Sequence, residues 1–165
     1  MVLEPLRALA AGTLAALVGL FAWSVLPLLA GYDATVVLSG SMAPAISPGD
    51  VVLTLPVDTE DVRPGWVVRF ADPDFPDRTL LHRVSTVADD GTVVTRGDAN
   101  ALEDSTPMTA SEITGLARIR VPYIGMLVMW RDTGEHRRLA LGLVGLLSLT
   151  ALATVRTRAT VAQRA

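Results

Sequence analysis

The sequence predicts an all-β domain, a curled sheet or small barrel, flanked by two transmembrane helices. Two long uncharged runs lie near the ends of the 165-residue chain, and short β-branched runs fill the region between them. Half of the residues are hydrophobic and the mean hydropathy is +0.43, which is more than a soluble domain of this size tends to carry. The excess comes from Ala, Val and Leu rather than from aromatic residues, which is typical of membrane segments.

The first uncharged run extends from Ala8 to Ala30 and contains twenty-three residues. At about 1.5 Å per helical residue, this length is sufficient to cross the core of a bilayer. Pro27 would kink the helix or mark its last turn, because proline lacks the helical donor. A cleavable signal peptide is the alternative, but its apolar run would be shorter. We therefore expect residues 1–30 to form an N-terminal transmembrane anchor.

The second uncharged run, Leu139 to Val155, contains seventeen residues and lies at the lower limit for a membrane span. An amphipathic or buried helix is the alternative interpretation of a run this short. We expect residues 139–155 to form a C-terminal transmembrane helix, followed by a basic tail over residues 156–165.

Positive charge at the ends of the chain predicts its orientation, because basic residues collect on the cytoplasmic side of membranes. Arg7 precedes the first run, and Arg156, Arg158 and Arg164 follow the second. Both ends are therefore expected inside, with residues 31–138 on the extracytoplasmic side of a multi-pass cell-membrane protein. The arginines just before the second run oppose this assignment; they are Arg131, Arg137 and Arg138.

Residues 31–138 have the composition of a water-exposed domain, with sixteen of the seventeen acidic residues and ten of the fourteen arginines. Short β-branched runs alternate there with turn signals rich in Pro, Gly and Asp. The predicted strands are Thr35 to Leu38, Val51 to Leu55, Trp66 to Phe70, Thr79 to Val87, Thr92 to Thr95 and Ile113 to Val121. Six strands without a helical period between them predict an all-β fold.

Composition excludes several classes of function. The chain has no cysteine, so disulfides, thiolate nucleophiles and cysteine-based zinc sites are absent. The net charge of −3 argues against nucleic-acid binding, since no basic surface is available to displace counterions from phosphates. We expect neither a cofactor nor a metal.

A candidate nucleophile lies in the segment Ser39-Gly40-Ser41, which Pro44 follows closely. A serine beside glycine is by itself usually a turn residue. Gly40 permits a tight turn and a close approach of substrate, while Pro44 fixes the chain after the hydroxyl. A serine hydroxyl still requires a base to be nucleophilic at neutral pH.

The chain has two histidines that could act as this base, His82 and His136. Strand alternation would place His82 on the same face as Leu80 and Val84, so its side chain should be half buried. Such a histidine is often only a core residue, but a neighbouring carboxylate would make it an effective base. His136 lies beside the second apolar run and is expected at the membrane interface.

A histidine base needs a carboxylate to orient its ring and stabilise the imidazolium. Asp98 and Asp104 are both candidates, and they lie six residues apart in one loop. Either one could instead be a turn or surface residue. The sequence alone does not distinguish between them.

Five segments together resemble signal peptidase I of the archaeal and endoplasmic-reticulum type, which has SipW-like members in some Gram-positive bacteria. The match covers about 90 residues in the expected order. The segments are Ser39-Gly40-Ser41-Met42 with Pro44, Gly49-Asp50, His82-Arg83-Val84, Gly97-Asp98-Ala99-Asn100 and Val121-Pro122-Tyr123-Ile124-Gly125.

The resemblance implies a role for each candidate. Ser41 would be the nucleophile and His82 the general base, with Asp104 favoured over Asp98 as the orienting carboxylate. The Ser39 hydroxyl and the Ser41 backbone N–H would form the oxyanion hole. The better-known bacterial branch uses a lysine base, as do autoproteases of the LexA type, which share a related β-fold. A chain without lysine excludes both mechanisms.

The same resemblance implies that the partners are signal peptides of secretory preproteins and the lipid bilayer. Small residues before the cleavage site would need shallow apolar pockets, for which Met42, Val51 and Leu80 are candidate walls. The sequence does not establish whether partner subunits are required. The alternatives are a catalytically inactive, membrane-anchored β-domain that binds envelope partners, and a structural or assembly protein of the envelope.

Overall fold

The computed structural model describes residues 3–154, which form one antiparallel β-sheet domain and three α-helices. The predicted cytoplasmic tail, residues 156–165, lies outside the described residues. The helices are α1 (Leu3–Val25), α2 (Met126–Asp132) and α3 (His136–Thr154). The strands are β1 (Asp33–Val36), β2 (Val51–Leu55), β3 (Val67–Ala71), β4 (Thr79–Val87), β5 (Thr92–Arg96), β6 (Met108–Thr109) and β7 (Ile113–Val121).

The seven strands form a single sheet in the order β1-β2-β7-β3-β4-β5-β6, and every neighbouring pair is antiparallel. The register shifts three times: within β2 against β7, within β3 against β7, and within β4 against β5. Such irregularities bend a strand and increase its twist, so the sheet curls. The prediction of an all-β domain flanked by two apolar helices is confirmed.

The limits of several elements differ from the prediction. Both long helices begin earlier, α1 at Leu3 rather than Ala8 and α3 at His136 rather than Leu139. Their first turns contain charged residues and therefore lie outside the uncharged runs. Two short elements, α2 and β6, were not predicted.

Strand alternation divides the core between the two faces of the sheet. Leu81 belongs to a cluster on one face, whereas Val84 and Phe70 belong to a larger cluster on the other. His82 pairs with Val68 across β3 and β4, so it faces this larger cluster, as predicted. A third, smaller cluster lies at β2 and the end of β7.

The helices α1 and α3 have the surface of membrane helices. Each is long and apolar enough to cross a bilayer, and α1 packs along α3. Only Ala10 and Ser24 are buried in α1, and no residue of α3 is buried within the described chain. Apolar side chains otherwise cover their outer surfaces, which is the arrangement expected of helices surrounded by lipid.

Candidate active site

Ser41 and His82 meet although forty-one positions separate them in the chain. Ser41 lies in the turn that follows β1, and His82 lies near the middle of β4. The Nε2 atom of His82 is 3.2 Å from the Ser41 Oγ, within hydrogen-bonding distance. The imidazole is therefore placed to accept the hydroxyl proton.

The other nitrogen of the same ring contacts Asp104. The Nδ1 atom of His82 lies 2.6 Å from Asp104 Oδ2. The ring is only 6 % exposed, and the edge of Phe70 packs against it with the ring centroids 6.3 Å apart. A buried ring held at both nitrogens has a fixed orientation, and the carboxylate favours the tautomer that carries its proton on Nδ1.

Asp104 is itself fixed by Thr95 of β5. The Thr95 hydroxyl donates a hydrogen bond of 2.6 Å to Asp104 Oδ2, and the Asp104 backbone N–H donates one of 2.9 Å to the Thr95 carbonyl. Together with the two contacts of His82, this gives a continuous chain of hydrogen bonds from Ser41 through His82 and Asp104 to Thr95.

Asp98, the other candidate carboxylate, contacts Arg83 instead of His82. Its two oxygens accept hydrogen bonds of 2.8 Å from Arg83 Nε and 2.7 Å from a terminal guanidinium nitrogen. These bonds hold the pKa of Asp98 below its ordinary value, against the opposing effect of burial, and they raise the pKa of Arg83. Asp98 therefore forms a bidentate ion pair beside the site.

The backbone of the same loop contacts the serine directly. The Ala99 N–H donates a hydrogen bond of 2.8 Å to the Ser41 carbonyl. Gly97 is required by this close approach, because a Cβ there would lie 2.7 Å from the Ser41 carbonyl oxygen. Ser39 lies on the exposed side, with its Oγ 3.4 Å from that of Ser41.

A buried carboxylate fixes the loop that follows the serine. Asp50 is 1 % exposed, and its oxygens accept hydrogen bonds from the N–H groups of Ser47, at 2.9 Å, and Tyr123, at 3.1 Å. The Arg120 guanidinium lies 3.5 Å from the same carboxylate and donates to the Ala45 carbonyl. We call Asp50, Arg120 and Tyr123 the Asp50 brace.

Comparison with known proteins identifies the family. The signal peptidase complex catalytic subunit SEC11C of Homo sapiens is 30 % identical over 140 residues, which cover 76 % of this chain and 72 % of that protein. The catalytic subunit SEC11 of Lachancea thermotolerans is 34 % identical over 131 residues, which cover 71 % and 75 % respectively. No protein-family model matches the chain.

The chain belongs to the signal peptidase I family. The predicted resemblance is confirmed at the level of the family, and these relatives are named as catalytic subunits of a peptidase. The two apolar helices fit the membrane association of signal peptidases.

A groove of about 370 Å³ lies on the β-sheet of this chain. Its lining includes Ile46, Val52, Trp66, Val67, Arg83 and Ala117. Ile46 donates its N–H to the carbonyl of Met42, the residue after Ser41, and Arg83 follows His82. The groove therefore adjoins the segments that carry the serine and the histidine.

The three predicted pocket residues lie elsewhere. Met42 is 1 % exposed inside the cluster that contains Leu81, Val51 is buried in the cluster at β2 and β7, and Leu80 is partly buried against the larger cluster. The three residues belong to different clusters, and none of them lines the groove. Their assignment as pocket walls stays a prediction, and the structure places them outside the lining of this groove.

Several contacts of this candidate site were not anticipated from the sequence. Arg83 and Asp50 lie inside the motifs that resemble the family, but no role was assigned to either. Thr95 could have been noticed as a polar residue at an inward-facing position of a predicted strand. Within residues 3–154, no group of three or more His, Asp or Glu side chains is placed to hold a metal ion.

Proposed function

We propose that this chain is a membrane-bound serine endopeptidase that removes N-terminal signal peptides from secreted preproteins. The observation that carries the proposal is the hydrogen-bonded chain from Ser41 through His82 to Asp104, with distances of 3.2 and 2.6 Å. It occurs in a member of a peptidase family whose named relatives are catalytic subunits. The sequence match and the side-chain geometry support the proposal independently.

In the proposed reaction, His82 Nε2 takes the proton of Ser41 while the serine oxygen attacks the carbonyl carbon of the scissile peptide bond. The imidazolium then gives this proton to the leaving amine, and an acyl-enzyme forms on Ser41. A water molecule then gives a proton to His82 and attacks the ester, and the imidazolium returns this proton to the Ser41 oxygen as the signal peptide is released. Asp104 holds the ring and stabilises its positive charge in both steps.

The negative oxygen that develops during each attack requires donors. The Ser39 hydroxyl lies close to the Ser41 hydroxyl on the exposed side of the turn, where substrate can enter. In our proposal the Ser39 hydroxyl and the Ser41 backbone N–H form the oxyanion hole. One donor of this kind contributes about 3 kcal/mol to stabilising a transition state.

The helices support a membrane location for this reaction. We propose that α1 and α3 span the cell membrane and that residues 31–138 lie on the extracytoplasmic side. Signal peptides are themselves membrane-anchored, so tethering would raise their effective concentration at the site. In this proposal the groove beside Arg83, which is lined by apolar side chains such as Ile46 and Val52 together with Arg118 and Arg120, takes the small residues that the resemblance implies before the cleavage site. The SEC11C name refers to a complex, but this proposal assigns no partner subunit.

The decisive experiment is cleavage of a purified preprotein by the full chain in proteoliposomes. Ser41→Ala and His82→Ala should each reduce the turnover number by at least about 10⁴-fold, because the two side chains act as a unit. Ser111→Ala, at an exposed serine whose hydroxyl is hydrogen-bonded to that of Thr109, is the matched control and should cleave normally. Cleavage by Ser41→Ala at the wild-type rate would contradict the serine nucleophile, and failure of the wild-type chain to cleave would favour a binding domain.

A further inference from the structure

Thr95 has an environment that packing alone does not explain. It is 1 % exposed on β5 and lies directly across from Val84, on the face that carries His82. The neighbouring inward position of the same strand is Val93, which is fully buried in the larger cluster. A valine would fill the space at position 95 equally well, so the hydroxyl is the feature that needs a reason.

The hydroxyl has a partner in Asp104. A buried hydroxyl without a hydrogen bond is unfavourable, and the bond that Thr95 makes is 2.6 Å long and directed at Asp104 Oδ2. His82 Nδ1 reaches the same oxygen at the same distance from β4. Two donors on neighbouring strands therefore converge on one carboxylate oxygen.

We propose that Thr95 is a positioning residue for the peptidase reaction. A carboxylate can rotate about the bond to its Cβ, and Asp104 comes from a loop rather than from a strand. The Thr95 hydroxyl prevents this rotation and keeps Oδ2 directed at the imidazole. The inference rests on the proposed function, because it assigns Thr95 to the proposed Ser41, His82 and Asp104 machinery.

The backbone contact between the same two residues allows the hydroxyl to be tested alone. The Asp104 N–H donates to the Thr95 carbonyl whatever side chain occupies position 95. Thr95→Val therefore keeps the loop attached and the core filled while it removes only the side-chain donor. Thr95→Ser keeps the donor and removes a methyl group.

Steady-state cleavage of the preprotein by the full chain in proteoliposomes tests the assignment. Thr95→Val should lower kcat by about ten- to a hundredfold with KM unchanged, the loss expected for a hydrogen bond to a charged group. Thr95→Ser should remain within about threefold of wild type. Thr54→Val is the matched control, since Thr54 is 0 % exposed on β2 and its hydroxyl makes only a 3.5 Å contact with the Asp33 carbonyl.

A spectroscopic measurement separates positioning from stability. The proton between His82 Nδ1 and Asp104 should give a strongly downfield NMR signal in the detergent-solubilised chain. Thr95→Val should shift or broaden this signal, and Thr54→Val should leave it unchanged. A wild-type signal together with wild-type kcat in Thr95→Val would overturn the inference. If valine disturbs folding, Thr95→Ala removes the hydroxyl together with the γ-methyl group, and normal kcat there would equally overturn the inference.

The two proposals fail in different ways. Full activity of Ser41→Ala would overturn the proposed function, whatever Thr95 does. Inactive Ser41→Ala with fully active Thr95→Val would leave the peptidase intact and overturn only the role of Thr95. A loss of kcat in Thr95→Val that Thr95→Ser does not share supports the inference.

Discussion

The loop between β5 and β6 has two halves that use similar side chains differently. In the first half, Asp98 binds Arg83 through both oxygens, and the Ala99 N–H binds the Ser41 carbonyl. In the second half, Asp104 directs one oxygen at both His82 and Thr95. The first half fixes the position of the serine backbone, and the second presents a carboxylate to the imidazole.

The difference between the halves comes from strand geometry. His82 and Arg83 are consecutive on β4, so their side chains point to opposite faces of the sheet. Asp104 reaches the face of the histidine, and Asp98 reaches the face of the arginine. A carboxylate that already has a bidentate guanidinium partner has little capacity left to orient a second cation. The two aspartates are chemically identical, so their different roles come from the residue of β4 that each one contacts, His82 for Asp104 and Arg83 for Asp98.

The largest expected effect comes from the second half of the loop. Asp104→Asn should lower kcat by about 10³- to 10⁴-fold, because an amide does not stabilise the imidazolium and favours the wrong tautomer. Steady-state preprotein cleavage measures this loss. Asp89→Asn, at an exposed turn residue, is the control. Equal, near-wild-type activity of Asp104→Asn and Asp89→Asn would contradict the division between the halves.

A smaller effect is expected from the backbone of the first half. Gly97→Ala would place a Cβ 2.7 Å from the Ser41 carbonyl oxygen and 2.8 Å from the Asn100 side-chain nitrogen. The serine must shift to relieve this contact, so kcat should fall by about ten- to a hundredfold. Gly145→Ala, in a part of α3 with open space around the glycine, should retain full activity. If both variants cleave equally well, the loop does not position the serine.

The smallest effect concerns Asp98 and depends on pH. Its folded pKa lies below its ordinary value, so its ion pair with Arg83 stabilises the fold above about pH 4, and this contribution is lost as the pH falls through the folded pKa. The pair is partly exposed and is worth about 1 kcal/mol or less.

Asp98→Asn should therefore lower Tm by about 2–4 °C at neutral pH, and the gap from wild type should close in acid. Thermal unfolding across the pH range measures this gap. The kcat of Asp98→Asn should fall by less than about tenfold, far less than the kcat of Asp104→Asn. A gap that widens on acidification would contradict the assigned ion pair.

The fold was largely predictable because the strands carry a clear local signal. The limits of β2, β4 and β7 agree with the predicted runs. Strand β1 begins and ends two residues earlier than the predicted run. Its limits are determined by its pairing with β2 rather than by its own composition. Two residues of β6 are too few to show any alternation, and the seven of α2 too few to show a helical period.

The site was less predictable than the fold. Sequence reasoning selected Ser41 and His82 from residue chemistry, and the structure brings them together. It left Asp98 and Asp104 open, because the choice depends on which face of β4 each one reaches. The contacts of Thr95, Arg83 and Asp50 arise from tertiary packing, and their residue types alone do not indicate them.

The Asp50 brace has a mechanical consequence. Gly125, at the start of α2, donates its N–H to the Gly49 carbonyl at 2.9 Å, and Asp50 holds the neighbouring Tyr123 N–H. These hydrogen bonds therefore join the turn after the serine to the chain that leads into α2. In the proposed membrane arrangement, these backbone contacts would set the height of Ser41 above the lipid. A scissile bond would have to rise or sink to that level to be cut.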